Sequence, residues 1–240
     1  MEGPVPRAMP VRWAVDPAAN AALWRDLSAM PLRLTNRPGQ WVADLGGGNG
    51  SFAAPVATGG ARVVTIDVDP SALRQAPPIV RALRGSLLQM PLRDASMDGV
   101  GGRAILHHVP DDLAAAVREA RRIVKPGGLA LFQEPTSGNP IANAARRWFP
   151  TERHDPHERP LPLAAYVEAV RREFEVLEVA PYFLLSYLMP HFVARLPPTR
   201  RDAARTLTRV LFAWDRQLLS ALPGLQSRAA YVSILARRPP

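Results

Sequence analysis

Four short stretches of this chain carry residues able to do chemistry. The first is Asp44-Leu45-Gly46-Gly47-Gly48-Asn49-Gly50, an acid two places ahead of three alternating glycines. Glycine lets the backbone bend sharply and lets a ligand approach closer than a Cβ would permit. An acid at the mouth of such a bend suits a cationic group and suits a pyrophosphate badly. The spacing is G-x-G-x-G, with Ser51 next, rather than the dinucleotide pattern G-x-G-x-x-G. The second is Asp67, 23 residues after Asp44, where a carboxylate can accept hydrogen bonds from both hydroxyls of a ribose. The third is the pair His107-His108. An imidazole there can take a phenol or sugar proton near neutral pH. The fourth is Glu134, able to orient an imidazole or bind substrate.

Each stretch also has a plainer reading. The glycines can form an ordinary turn, and Asp67 can serve the turn Asp67-Val68-Asp69-Pro70. One histidine ring can simply pack or cap the loop before Asp111, and Glu134 can be a solvated carboxylate at the end of a strand. The glycine bend and Asp67 together, in strand–loop–helix–strand context, favour a bound nucleoside.

The elements that must position these groups alternate along the chain. Asp16 as N-cap, Pro17 in the first turn and Leu23, Trp24 and Leu27 at helical spacing predict a cover helix. Strands are expected at Trp41 to Leu45, Arg62 to Asp67, Val80 to Gly85, Met97 to Ala104 and Gly128 to Glu134. Helices are expected from Ser51 to Thr58, from Ser71, and from Asp111 to Val124, the last capped by its adjacent acids and stopped by Pro126-Gly127-Gly128. Strands alternating with helices imply right-handed crossovers and a parallel sheet, so the fold class is α/β, doubly wound. Beyond Pro135 a Pro- and Arg-rich stretch precedes a helix near Leu163 to Glu173 and a strand at Phe174 to Tyr182. Helices broken at Pro190 and at Pro197-Pro198 follow, and Tyr231 to Ala236 alternates like a last strand. The expected organisation is an arm and cover helix over 1–40, a cofactor-binding core over 41–135, and a substrate lid with the final strands over 136–240.

Composition removes several chemistries. The 240 residues include no Cys, which excludes thiolate nucleophiles, Cys-ligated zinc and iron–sulfur clusters. The net charge of +9 raises the question of a polyanionic partner. The basic residues, however, are scattered arginine pairs such as Arg121/Arg122 and Arg200/Arg201 rather than a dense stripe interleaved with aromatics, so nucleic acid is disfavoured. No apolar run is long enough for a membrane span, and Met1 to Pro10 lacks the apolar core of a signal peptide; a cytoplasmic protein is expected. No metal site is expected either. His154 and His157, with Asp155 and Glu158 between and beside them, lack a helical i, i+4 histidine pair and a clear third ligand, and these two and His191 are read as loop residues.

From Trp41 to about Pro135 the sequence resembles class I S-adenosylmethionine-dependent methyltransferases, in particular the ubiquinone/menaquinone-biosynthesis-like group of small-molecule enzymes. Four blocks match in order: Val42 to Gly50, Val63 to Asp67, Met90 to Asp98, and Leu106 to Asp111 followed by Arg122 to Gly128. The resemblance implies a Rossmann-like, mostly parallel seven-stranded sheet with a helical lid, and S-adenosylmethionine as cofactor. Carried over residue by residue, Asp44 would lie near the methionine end. Gly46, Gly47, Gly48, Asn49 and Gly50 would form the loop beneath the cofactor, and Asp67 with Val68 would hold the ribose. Ser86 and Leu87 would meet the adenine, and Arg103 would complete the cofactor-binding set. Where the family often has an acid for the adenine amine, this chain has Ser86, which can still hydrogen-bond, while Leu87 supplies apolar contact.

The expected function is methyl transfer to a small, rather apolar metabolite, at oxygen because of the paired histidines, with His107, His108 and Glu134 as the catalytic set. Trp148, Phe149, Tyr166, Phe183, Tyr187, Met189, Phe192, Phe212 and Trp214 are candidates to line an acceptor pocket, although ordinary core packing accounts for most such residues. Three rivals stand beside this reading: a nucleic-acid methyltransferase, a methyltransferase-like cyclase or binding scaffold without transfer activity, and, least favoured, a nicotinamide oxidoreductase. A homodimer is left open.

Overall fold

A computed structural model describes residues 14–148 and 158–240. Seven strands form one sheet in the order β3-β2-β1-β4-β5-β7-β6. They are β1 (Trp41–Leu45), β2 (Arg62–Asp67), β3 (Val80–Arg84), β4 (Met97–Arg103), β5 (Val124–Pro135), β6 (Glu175–Tyr182) and β7 (Tyr231–Arg237). The first five run parallel, and β7 is antiparallel to both of its neighbours. The strand order reverses between β1 and β4, where a doubly wound sheet opens a crevice at its carboxyl edge. The doubly wound α/β fold is therefore the one expected from the alternation of elements, and the mostly parallel seven-stranded sheet the one the resemblance implies.

Helices cover both faces because the central strands are apolar on both sides. On one face α4 (Leu113–Ile123) and α6 (Leu163–Glu173) pack over Val100, Ala130, Phe132 and Ile234. On the other, α1 (Pro17–Ala29) and α2 (Ala53–Thr58) cover Val42, Val63, Leu131 and Leu235. The short α3 (Pro70–Leu73) follows β2, and α5 (Pro140–Trp148) follows β5. Between β6 and β7 the chain inserts α7 (Met189–Arg195) and α8 (Pro198–Ala221), which pack against α1.

The start of α1 follows the expected chemistry. The Asp16 carboxylate accepts the Ala19 N–H at 2.9 Å, and Pro17 occupies the first turn. The same carboxylate takes Arg205 of α8 in a two-pronged pair at 3.0 and 2.8 Å. One side chain thus caps the cover helix and ties it to the late insertion.

Several boundaries differ from expectation. Pro190 and Pro198 open α7 and α8 rather than breaking helices, since a missing N–H costs nothing in a first turn. No side chain caps α4; Asp111 instead pairs with Arg159. Pro126-Gly127-Gly128 does not terminate α4, because β5 already begins at Val124 and absorbs these residues as a break in register against β4. His191 lies in α7, not in a loop. His154, His157 and Phe149 fall outside the described residues.

Candidate functional site

The carboxyl edges of β1, β2, β4 and β5 bring the sequence-selected groups together. The side chain of Asp44, on β1, is fully buried. Its Oδ2 accepts the Thr65 hydroxyl at 3.4 Å, while its Oδ1 has no partner. Burial, partly offset by the Thr65 hydroxyl and the charge of Arg103, pushes this carboxyl up to about 8. Gly47 is small for a steric reason: a Cβ there would lie 2.1 Å from both Asp44 Oδ2 and Thr65 Oγ1.

The bend then reaches β2. Gly48, at φ +49°, donates its N–H to Asp67 Oδ2 at 3.0 Å. Asp67 Oδ1 accepts the Asp69 N–H at 2.9 Å, which leaves lone pairs on both oxygens for further donors. The side chain of Asn49 accepts the Ser51 N–H, and the Gly50 N–H closes a turn onto the Gly47 carbonyl. Val68 is 62 % exposed beside Asp67, an apolar surface at the rim. Ser86 follows Gly85, whose N–H binds the Asp67 carbonyl, so it occupies the same edge one strand over. Its hydroxyl accepts the Leu88 N–H, and Leu87 packs partly into the core.

At the other side of the crevice, strand alternation splits two adjacent β5 residues between the faces. Gln133 turns toward the cover helix, where its Oε1 accepts the Arg103 Nε–H at 2.8 Å and its amide donates to the Leu27 carbonyl at 2.8 Å. Glu134 turns the opposite way. It is fully buried and accepts backbone N–H groups from Ile105 at 3.0 Å and Leu106 at 2.9 Å. Its other oxygen takes His107 Nδ1–H at 2.9 Å. Of the expected readings of Glu134, the solvated and the substrate-facing ones give way, while the carboxylate that orients an imidazole matches the contact to His107; Glu134 also anchors the turn after β4 by accepting its N–H groups.

His107 is buried, and its second nitrogen, Nε2, lies 2.9 Å from Glu158 Oε1. Burial alone would lower its pKa, but the hydrogen bonds and charges of Glu134 and Glu158 outweigh it and hold the imidazole above its ordinary range. With both nitrogens engaged, His107 as placed has none to offer an acceptor. His108 stacks at 4.4 Å from the His107 ring, with its Nδ1 3.7 Å from Glu158 Oε2 and its side chain 38 % exposed against 5 % for His107. His107, His108 and Glu158 lie close enough together to ligate a metal ion, a cluster the sequence did not disclose. Glu158 lies in a strap secured by the Arg159 N–H on the His107 carbonyl and by the Arg159–Asp111 pair.

The candidate pocket residues do not share one surface. Phe183 and Phe212 belong to the cluster under the cover, where Phe183 contacts Trp24, Tyr231 and Tyr187. Tyr166 is buried on the opposite face. Phe192 and Trp214 are 54 % and 60 % exposed. The residues missed from sequence are Gln133 and Thr65, while Trp24 is expected only as a cover-helix position and Glu158 only as a neighbour of loop histidines. For Gln133 and Thr65 a signal existed: polar side chains within otherwise apolar strands.

The strand order, the glycine bend at its switch point and the buried acid define a Rossmann-like methyltransferase fold. Residues 43–132 match the methyltransferase domain family, so this segment is similar to the class of S-adenosylmethionine-dependent methyltransferases. A methyltransferase of Mycobacteroides abscessus is 34 % identical over 118 residues, 46 % of this chain and 43 % of that protein. Malonyl-acyl-carrier-protein O-methyltransferase of Serratia marcescens is 34 % identical over 125 residues, covering 50 % of this chain and 49 % of that protein. The chain thus spans about half the length of these curated relatives. Among solved structures, the (4+2)-cyclase SpnF superposes with a TM-score of 0.62 at 20 % identity, over 89 % of this chain and 80 % of that one.

The cofactor of this class is S-adenosylmethionine, and the residues present fit it. The orphaned Asp44 Oδ1 suits a cationic arm, the bend keeps Cβ atoms away, and Asp67 retains acceptor capacity for ribose hydroxyls. Among the described residues no helix is long and apolar enough to cross a membrane.

Proposed function

We propose that this protein transfers the methyl group of S-adenosylmethionine to an oxygen of a small, rather apolar metabolite, within natural-product or quinone-like metabolism. The observation that carries the reading is Asp44: a fully buried carboxylate with one oxygen unanswered, at the foot of the glycine bend. Isolated buried carboxylates are costly, so a site that retains one favours a ligand bearing positive charge.

In this reading residues 41–135 hold the cofactor, the N-terminal helix covers it, and residues 136–240 shape acceptor choice. Asp67 binds the ribose, with Val68 alongside, and Ser86 and Leu87 meet the adenine. When bound, the cofactor supplies an already electrophilic methyl carbon, so the protein need only align the acceptor and accept a proton. His108 is the proton acceptor, since His107 is committed to its two carboxylates. His107, Glu134 and Glu158 are positioning residues that fix the loop carrying His108.

Calorimetry with S-adenosylmethionine, S-adenosylhomocysteine and NAD tests the class, and product detection with phenols, sugars and quinones tests the chemistry. Binding of NAD in preference to S-adenosylmethionine, or methylation at carbon alone, would end the reading. A second reading is a scaffold that binds the cofactor without transfer; the cyclase SpnF, which shares the fold over most of this chain, favours keeping it. Cofactor binding without S-adenosylhomocysteine across the whole acceptor panel would select it.

A further inference from the structure

The turn after β4 and the strap bring three side chains able to ligate a metal to one point. His107 Nε2 lies 2.9 Å from Glu158 Oε1, and His108 Nδ1 lies 3.7 Å from Glu158 Oε2. One ring nitrogen from each histidine and one carboxylate oxygen of Glu158 fall within 4.8 Å of one another. Glu158 stands 51 positions from His107, a separation that the spacing of residues along the chain does not disclose as a cluster.

The hydrogen bond behind His107 decides what its outer nitrogen can do. Nδ1–H donates to Glu134 Oε2 at 2.9 Å, so the lone pair of a neutral ring sits on Nε2 and faces Glu158. A lone pair and a carboxylate oxygen are both acceptors, and a 2.9 Å contact between them holds only with a cation in between. No arginine or lysine of the described residues pairs with Glu134 or Glu158, whose ion-pair partners are the two histidines. Two largely buried carboxylates thus have only imidazoles set against them among the described residues, an arrangement that favours added positive charge.

The donor set narrows the ion. Two imidazole nitrogens with one carboxylate suit borderline ions such as Zn²⁺, whereas Mg²⁺ and Ca²⁺ prefer sites built of oxygen. Three such ligands leave a fourth tetrahedral position for water. His108 is the most exposed of the three and gives an ion its entry from solvent, while His107 is buried and fixed from behind by Glu134.

We propose that His107, His108 and Glu158 bind one divalent ion of the zinc type, with Glu134 orienting His107, and that the ion fastens the strap carrying Glu158 to the turn after β4. The ion lies between His107 Nε2 and Glu158, and His108 Nδ1 is its third protein ligand. The site stands independently of the methyltransferase reading, and one consequence rests on that reading. A histidine that ligates a metal ion cannot also take the proton of an acceptor hydroxyl, so the loaded site opposes the transfer in which His108 is the proton acceptor. Zn²⁺ is then a reversible inhibitor, and a chelator restores the reaction.

The test strips the full chain of metal with a chelator and titrates it calorimetrically with Zn²⁺ and with Mg²⁺ near neutral pH. The wild type is expected to take up one Zn²⁺ per chain and to bind Mg²⁺ about 100-fold more weakly or worse. E158Q and H108Q, each of which removes a ligand, are expected to weaken Zn²⁺ binding by about 100-fold or more, and E134Q, which alters the support behind His107, by about 10- to 100-fold. Circular dichroism of the metal-free variants checks that they are folded, and H108Q carries the test should E158Q fail to fold. Co²⁺ in the wild type is expected to show the visible absorption of a nitrogen- and oxygen-ligated ion, and to lose it in E158Q. H191Q and the double variant H154Q/H157Q are expected to bind Zn²⁺ as the wild type does. Zn²⁺ uptake that survives in both E158Q and H108Q, or that is lost in H191Q or H154Q/H157Q, overturns the proposal, as does Mg²⁺ bound as tightly as Zn²⁺. Transfer that persists while calorimetry shows the site filled with Zn²⁺ would uphold the site and instead sink the assignment of His108 as proton acceptor.

Discussion

His107 Nδ1 lies 2.9 Å from Glu134 Oε2 inside the fold, and the same carboxylate gathers the N–H groups of Ile105 and Leu106. A side chain from the end of β5 thereby fixes the turn that follows β4, and with it the ring that stacks on His108. The histidine pair is divided by this contact into one structural and one accessible member.

That division predicts opposite outcomes for two alanine variants. H107A is expected to lower stability by about 2–4 kcal/mol, because it strips buried carboxylates of their partner. H108A is expected to leave the thermal midpoint within about 2 °C and to lower kcat on an oxygen acceptor by about 100-fold or more. Thermal melts with turnover assays distinguish them. Equal loss of stability in both would refute the division.

Glu134 itself offers a stronger structural test. E134A leaves the N–H groups of Ile105 and Leu106 without acceptors in a buried place, at a cost of about 1–3 kcal/mol each, while E134Q keeps one acceptor oxygen and costs less. Urea midpoints that rank wild type above E134Q above E134A would bear this out, and a neutral E134A would not.

The pH dependence follows from the direction of the His107 shift. Its pKa is raised in the folded protein, so its stabilising contribution is complete below the ordinary histidine value of about 6.5 and is lost as pH rises through the folded value. Folding free energy measured in urea from pH 6 upward is expected to fall, and this part of the slope is expected to vanish in H107Q.

Asp44 trades stability against binding. Its carboxyl titrates near 8 in the fold and near 3.8 unfolded, so the unliganded protein loses stability as pH rises between those values. D44N removes that penalty and is expected to raise the thermal midpoint at pH 8 while weakening S-adenosylmethionine binding by about 30-fold or more. Because a cationic arm would favour the ionised acid, binding at pH 7 is expected to release a proton, visible as a calorimetric enthalpy that varies with the ionisation enthalpy of the buffer. A buffer-independent enthalpy would count against it.

The clasp between the cover helix and the late insertion responds to acid. Hydrogen bonds from Arg205 and from the Ala19 N–H hold Asp16 at about 2, below its usual value of 3.8, so its contribution is present above about pH 4 and is lost as pH falls toward 2. D16A is expected to cost about 1–2 kcal/mol for the cap alone. Proteolysis within residues 14–29 should accelerate in this variant, and an unchanged rate would argue against the clasp.

The sequence by itself determined the doubly wound core, because glycine bends, strand-length apolar runs and helical periodicity are local patterns set by backbone sterics. It also determined the capped start of α1 and the residues of the glycine loop, where Gly47 answers to Asp44 and Thr65 within one strand–loop–strand unit, whereas Gly46 answers to Ile105 beyond β4. Only the tertiary structure decided the division of labour among the charged groups. Gln133 and Glu134 are neighbours that serve opposite faces of the sheet, and Glu158 reaches His107 across 51 positions of chain. Whether a carboxylate is solvated, anchors a loop or waits for a ligand depends on which distant N–H groups and cations the fold brings within about 3 Å, and no local pattern encodes that distance.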